Sequence, residues 1–485
     1  RHRTRQATMI GNRWRRQGSS RGSVGFQWIL SKRQFVRRLP PHRFLLVAVC
    51  FAVLVRGGFA LISTAPFAAD PDAYLAIAKT IDQSGVFGLM GADQEPHATA
   101  FRPPLSPFLL SMMIADGELS VLATASLHVV LAAIMSGFVF LTVRCLVGSF
   151  SFQVESANLP ARLASMLVTI DPILIRQSTQ LMTETLAAFF SSGVLFFWCR
   201  LHCASDDRER MTRAICVGGM LALAYLCRPT FLVWAALLVL ATLAVRPTRR
   251  EWTPGILIAC CVAIAVCGWT ARNVAQFGKP IWATSHGGYT LLLANHESFY
   301  RYLSDRQWGD AWDPDEFLNA YRFRYEGDPR EAAFWSRHWD GTPRVDDSIT
   351  EYEDDRLCYE AAVATIRRQP KMFAWSCVVR AGRLWKPFPL PTAQRSTRSR
   401  LVVGCFYLLL YLAVAVSLLK HHRQMGKRQW WSIGLLVLSL TVVHAVYWSN
   451  LRMRAPAIPA LAVIAAVAVV PRKGSHTESN SNTLR

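Results

Sequence analysis

The sequence predicts an all-α polytopic membrane protein of about ten transmembrane helices, carrying a mixed extracytoplasmic subdomain. Three observations predict it. Apolar residues make up 52% of the 485, and they gather in runs that reach or approach the roughly 18–20 residues that cross a bilayer as helix. The connections rich in Lys and Arg alternate along the chain in the way the positive-inside rule requires. One long connection, 274–400, is too polar to span and too rich in Trp and Tyr for a disordered linker. A soluble fold is disfavoured, because soluble core helices rarely supply so many long uncharged runs.

Residues 1–42 form a basic tail; the first 43 residues hold twelve Arg and Lys and no acid, within a chain of net charge +22. Beside a first span, such a tail suits a cytoplasmic segment drawn to anionic lipid better than a nucleic-acid arm, so membrane lipid and no nucleic acid is the expected partner. Met9 is an internal candidate for the start. No cleavable signal is expected, since the first span is longer than an h-region.

Spans are expected near 43–63, 120–146, 161–177, 182–200, 213–227, 229–246, 254–273, 402–419, 430–448 and 455–471. Only Arg228-Pro229 separates the fifth from the sixth. With the tail inside, RLHCASDDRERMTR (200–213), RPTRRE (246–251) and KHHRQMGKR (420–428) also fall inside, and an even span count returns 472–485 there as a cytoplasmic tail. The transmembrane core is then 43–273 with a first outer loop at 64–119. The extracytoplasmic subdomain is 274–400, and the C-terminal transmembrane helices are 401–471.

Within the subdomain, 353–370 reads as a helix with acids in its first turn, Arg in its last and Pro370 as a stop. Residues 371–389 read as a second helix lying on the membrane, its Trp and Arg/Lys at the headgroups. Of twelve Cys, ten lie in or beside apolar runs and read as small membrane hydrophobes. Cys358 and Cys377 lie in the polar segment and can pair. There is no CxxC pair, and Cys260-Cys261 sits inside a span.

The expected topology puts Asp70, Asp72, Arg102, Glu184, Arg228, Arg272, Arg452 and Arg454 at one membrane face. Ionisable groups gathered at one depth signal a site, although single arginines there also snorkel. Asp70-Pro71-Asp72-Ala73-Tyr74 carries two readings. Asp70 before Pro71 has the pattern of an N-cap with proline at the first helical position, followed by Tyr74, Ile77, Ala78 and Ile81 on one face. A carboxylate there can also take a proton from an acceptor hydroxyl or amine. In Arg102-Pro103-Pro104 the first proline holds Arg102 extended, which suits either a two-pronged grip on a lipid phosphate or snorkelling. Thr183-Glu184 opens a span, and Arg272-Asn273 closes one. The loop histidines His97, His286, His296 and His338 read as scattered polar surface, and no metal-ligand cluster is expected.

The ordered pieces DPDAYLAIA, FRPPLSPFLL, LMTETLAAFF, LCRPTFLVW, GWTARNVAQFGKPIWATSHGGYTLLLAN, EYEDDRLCYEAAVATIRRQPKMFAWSCVVRAGRLWKPFP and SNLRMRAPAIPALAVIAA run from about residue 43 to 471. Together they resemble the GT-C membrane glycosyltransferases. More narrowly, they resemble the bacterial branch of the dolichyl-phosphate-mannose-protein mannosyltransferase superfamily, with its Rgt-type and aminoarabinose-transferase-like enzymes. The resemblance implies transfer of a sugar from a polyprenyl-phosphate carrier to an extracytoplasmic lipid, glycan or protein, in the bacterial inner membrane, by an inverting single displacement. It implies Asp70 as general base, Arg102 on the donor phosphate and Glu184 as the acid of the TE motif. Arg228, Arg272, Arg452 and Arg454 match arginines of weaker motifs. The family often has a second acid directly after the first; here that place is Pro71, with Asp72 one further on. The resemblance requires no cofactor and allows a divalent metal at Asp70 and Glu184, since some such enzymes use one.

Two other classes compete. A transporter or flippase of a lipid or sugar conjugate would show intramembrane charges and broken helices in two related halves, a pairing this sequence lacks. A structural anchor would not need the ordered acids and arginines.

Overall fold

A computed structural model describes residues 41–63, 67–148, 157–244, 249–305, 311–343, 349–391 and 396–471. The tails 1–40 and 472–485 and part of the RPTRRE turn, on which the inside assignment leans, lie outside the described residues. The chain divides into Arg1–Arg43 and Phe44–Arg485, and apart from three residues at the start of the first helix everything below concerns the second.

Helix α1 (Pro41–Ile62) is followed by a first loop holding α2 (Tyr74–Ser84), the antiparallel pair β1 (Gly88–Met90) and β2 (Pro96–Ala98), α3 (Leu105–Ser111), and the short pair β3 (Ile114–Ala115) and β4 (Glu118–Leu119). Then come α4 (Val121–Gly148), α5 (Asn158–Thr169), α6 (Pro172–Gln177), α7 (Glu184–His202), α8 (Asp207–Cys227), α9 (Phe231–Ala244) and α10 (Arg249–Phe277). The polar segment forms α11 (Gly287–Ala294), α12 (Glu297–Ser304), α13 (Asp315–Arg322), α14 (Ala332–Ser336), α15 (Glu351–Arg368) and α16 (Pro370–Trp385). The chain ends in α17 (Thr397–Met425), α18 (Trp431–Val446), the 3₁₀ segment Leu451–Ala457 and α19 (Ile458–Ala466).

Among the described residues eight helical segments are long and apolar enough to cross a membrane: α1, α4, α7, α8, α10, α17, α18 with the 3₁₀ turn before it, and α19 with its flanking 3₁₀ turns. Of the ten expected spans, one is corrected and one is described only in part. The run 161–177 breaks at Asp171-Pro172. Asp171 leaves the helical region and caps α6, accepting from the Ile173 and Leu174 amides at 2.9 Å; Pro172 has no N–H with which to continue α5. The described part of 229–246 is α9, 14 residues long, and the end of that expected span lies outside the described residues.

The main core is built from α4, α5, α7, α8, α9, α18 and α19. Trp198 and Trp234 are fully buried in it, and each indole N–H finds a carbonyl, of Arg428 and Ser432, as a buried indole must. Gly218 lets α8 meet α10 closely: a Cβ there would come within 2.7 Å of Cys261 Cβ, the small-residue contact that replaces hydrophobic drive inside lipid. Leucines on α1 and α17, such as Leu54, Leu61, Leu409 and Leu419, face outward.

The polar segment packs around an aromatic cluster that includes Phe317, Phe323, Phe334, Trp335 and Trp339. The helix expected over 353–370 starts at Glu351, because Thr350 and Glu353 close a capping box. Three expectations are corrected here. His286 is half-buried and His296 fully buried rather than surface polar, and His296 caps α12 while its ring lies 4.5 Å from that of Phe317. Cys358 and Cys377 are both free thiols. Arg380 and Arg383 of α16 turn inward rather than to headgroups: Arg380 donates to the carbonyls of Ala445 and Ala294, and Arg383 to the Tyr302 hydroxyl. Buried carbonyls freed where α11 and α18 end need donors more than lipid does.

Helices α11 and α15 meet at Gly288, whose amide donates to Asp355 Oδ1 at 2.6 Å; a Cβ there would sit 2.0 Å from the Asp355 carbonyl oxygen. Gly288→Val is therefore expected to destabilise the protein by about 1–3 kcal/mol through overpacking. Thermal unfolding of the purified chain in detergent reads this directly, and an unchanged midpoint would show that the two helices do not meet there.

Candidate active site

The first loop reaches the start of α7 through packing. Phe67 donates its amide to Thr179 O, and Phe67, Tyr74, Leu110, Leu181 and Met182 share one buried cluster. That cluster sets Asp70 and Asp72 beside the turn that delivers Glu184. Burial pushes the Tyr74 phenol up to about 12, so it serves this site as packing and neutral hydroxyl.

The expected N-cap is corrected in detail. Helix α2 starts at Tyr74, after Ala73 in the left-handed region (φ 58°), and Asp70 stands three residues before that cap. Asp70 Oδ2 still reaches forward to accept the Ala76 amide at 2.9 Å, satisfying one free N–H of the first turn. Its other oxygen, Oδ1, is buried with no hydrogen-bond partner among the described residues. One carboxylate thus performs the capping role with one oxygen and leaves the second unengaged.

Five side chains form an alternating ladder of charge. Arg102 donates from Nη2 to Asp72 Oδ1 at 2.9 Å and from Nε to the Asp72 carbonyl at 2.7 Å. Asp72 Oδ2 lies 3.7 Å from Arg452 Nη2. Arg452 Nε lies 3.6 Å from Glu184 Oε1, and Arg228 Nη2 lies 3.7 Å from that same oxygen. Three guanidiniums and two carboxylates leave one net positive charge. Glu184 is 1% exposed, and neither of its oxygens, nor Arg452 Nε, has a hydrogen-bond partner among the described residues. Native structures satisfy nearly all buried polar groups, so a cluster of exceptions is a feature that singles out this place from the rest of the core.

Local sequence explains how each member is presented. Pro229 forbids continuation of α8 and holds Arg228 extended (φ −151°, ψ 112°). Asn450 caps the 3₁₀ segment by accepting from the Arg452 amide. Glu184 is the first residue of α7, where a negative charge meets the positive helix end. Pro103 and Pro104 are buried and lead into α3, carrying Arg102 at the loop's edge.

Two expected members lie elsewhere. Arg272 gives Nη1 to the Thr99 carbonyl and Nη2 to the Phe87 carbonyl, so it clamps the first-loop hairpin onto α10. Arg454 is fully buried; Nη1 donates to Lys386 O and Tyr411 hydroxyl, and the guanidinium lies 3.7 Å over the Tyr407 ring. Two residues along a 3₁₀ helix turn a side chain through about 240°, which is why Arg452 and Arg454 face different surroundings.

A cavity of about 390 Å³ opens beside Asp72 and Arg102. Phe101, His286, Tyr289 and Tyr321 supply aromatic walls, and Glu351, Asp354 and Asp355 supply carboxylates. Glu351 ties the cavity rim together by accepting from Thr99 Oγ1 at 2.6 Å and the Ala100 amide at 2.5 Å. Burial, helped by Arg102, pushes His286 down to about 3, so its ring is neutral between Phe101 and Tyr289. These residues were not singled out from sequence. The signal was the EYEDDR run, whose acids read there only as the first turn of a helix. A second cavity, of about 440 Å³, lies among Trp198, His202, Arg210 and Arg428 and contains none of the expected site residues.

Burial raises the Asp355 carboxyl to about 6, against the opposing pull of the Gly288 amide. A carboxyl whose folded pKa exceeds its unfolded value adds stability at low pH and loses it as pH rises through the folded pKa. The thermal midpoint of the wild type is therefore expected to fall between about pH 4 and 6, the unfolded and folded values of this carboxyl, with a shallower fall in Asp355→Asn. Parallel profiles for the two proteins would contradict the assignment.

No family model matches the chain, and no curated protein matches it. Solved structures do. The Archaeoglobus fulgidus oligosaccharyltransferase, crystallised as a complex with Zn and sulfate, superposes with TM-score 0.47 and 14% identity over 88% of this chain. This chain spans about half of that protein, 48% of its length. ArnT from Cupriavidus metallidurans superposes in its apo state with TM-score 0.35 and 12% identity, covering 92% of this chain and 77% of that one. Bound to undecaprenyl phosphate it gives TM-score 0.37 and 13% identity, covering 89% and 78%.

Proposed function

We propose that this protein is an integral membrane glycosyltransferase that moves a sugar from a polyprenyl-phosphate carrier to an acceptor at the first-loop face, taken to be extracytoplasmic. The observation that carries the reading is the Arg102–Asp72–Arg452–Glu184–Arg228 ladder beside a carboxylate, Asp70, with one unengaged buried oxygen. The ladder's net positive charge suits one phosphodiester, and it lies where spanning helices end, within reach of a lipid-borne group. The neighbouring cavity has aromatic faces and carboxylates, the combination that receives a sugar ring and its hydroxyls.

The displacement follows from these parts. The acceptor oxygen or nitrogen attacks the anomeric carbon, and its proton passes to Asp70 Oδ1. The bond from the anomeric carbon to the phosphate oxygen breaks, and its electron pair stays on polyprenyl phosphate. The charge that grows there faces Arg452 and Arg228, which stabilise it more in the transition state than in the ground state. Arg102 is held by Asp72 through Nε and Nη2 and has Nη1 left to offer the donor. Arg272 and Arg454 hold the scaffold. A divalent cation fits this arrangement poorly: Glu184 already faces two guanidiniums, and Asp70 offers one unengaged oxygen.

The test is release of free polyprenyl phosphate from a panel of polyprenyl-phosphate sugars, in membranes containing crude cell-envelope acceptors. Release by wild type from one donor, with radiolabelled sugar appearing in an envelope fraction, supports the reading and names the donor. No release from any donor, together with movement of a labelled lipid between leaflets, would replace it with a flippase.

A further inference from the structure

We propose that Cys145, Cys199 and Cys203 form a thiolate site for a thiophilic d¹⁰ cation, Zn²⁺ or Cu⁺, at the end of the helix bundle remote from Asp70 and Glu184. The sulfurs lie within 4.8 Å of one another, and Cys145 Sγ is 3.4 Å from Cys203 Sγ. Thiolates sharing one ion at about 2.3 Å stand about 3.8 Å apart, so shifts of no more than about 1 Å convert the trio, whose sulfurs lie within 4.8 Å of one another, into a ligand set.

The placement comes from two helices. Cys199 lies in the last turn of α7 and Cys203 is its C-cap, one helical turn further on the same face. Cys145 lies in the last turn of α4, which packs against α7. Cys199 is buried, Cys145 half-buried and Cys203 exposed, so the site has a floor and an open mouth. Glu184 begins the same helix fifteen residues before Cys199, about 22 Å away along the axis. The trio therefore belongs to neither the charge ladder nor its cavity. Small-hydrophobe packing accounts for cysteines taken singly, such as Cys261 against α8; it does not bring three sulfurs from two helices to one point. Soft thiolate ligands select Zn²⁺ and Cu⁺ over hard cations.

The experiment titrates the reduced, chelator-treated full chain in detergent, without oxygen, with Cd²⁺ as a spectroscopic stand-in for Zn²⁺ and separately with Cu⁺. A thiolate-to-metal charge-transfer band should saturate at one ion per chain, and a saturating ion should raise the thermal midpoint. Cys203→Ser, at the exposed position, should weaken binding at least tenfold and lose the midpoint shift. Cys145→Ser should do the same, and Cys50→Ser, an exposed cysteine on α1, should titrate like wild type. Tighter binding of one ion than the other says which is taken. Absence of a saturable band for both ions, equal titration of Cys203→Ser and wild type, or a Cys145–Cys203 disulfide that survives reduction would overturn the proposal.

Discussion

Asp70→Asn is expected to cut sugar transfer by about 10²–10⁴-fold, the range lost with a positioned general base, while the protein stays at its normal level in the membrane. The substitution separates Asp70's two roles. The oxygen that accepts the Ala76 amide is retained in the asparagine carbonyl, so the first turn of α2 keeps its cap. The buried Oδ1 without a partner becomes an amide NH₂, which cannot take a proton. Transfer of radiolabelled sugar, normalised to protein in the same membranes, measures the effect. Full activity in this variant would remove Asp70 from the chemistry and leave it a helix cap.

Glu184→Gln is expected to lower both stability and transfer. It leaves Arg228 and Arg452 facing each other across a neutral amide in a buried place. Breaking one member of a buried charged set typically costs about 3–5 kcal/mol, and losing the fixed position of groups that stabilise transition-state charge costs about 10²–10³ in rate. The two losses are separable. Glu184→Gln combined with Arg452→Met removes the orphaned cation, so its thermal midpoint should exceed that expected from adding the single losses, by a coupling of about 0.5–3 kcal/mol. Transfer should stay low in the double variant. Additive losses in stability would mean that Glu184 and Arg452 do not interact.

The individual residues show why part of the site was legible and part was not. Asp70, Arg102, Glu184 and Arg228 stand at the ends of apolar runs or beside prolines, so local sequence marks them. Arg452 and Arg454 carry the same local marks, yet only Arg452 meets the acids, because the intervening 3₁₀ turn rotates Arg454 toward Tyr407 and Tyr411. Arg272 lies in the last two turns of α10, which runs on to Phe277, and its guanidinium is consumed by the carbonyls of Thr99 and Phe87. Glu351, Asp354 and Asp355 lie in a helix whose capping accounts for acids without any site, and only its packing against α11 turns them toward the cavity.

The sequence by itself determined the helical membrane class, most of the spanning segments and the gathering of acids and arginines at the ends of those segments. Hydropathy, helical period and proline chemistry are properties of neighbours along the chain, so they can be read there. The tertiary structure alone decided which arginines face which carboxylates, where the aromatic cavity opens and that three cysteines converge. Those outcomes depend on how helices rotate and pack against partners far away in sequence, and no local pattern encodes that rotation.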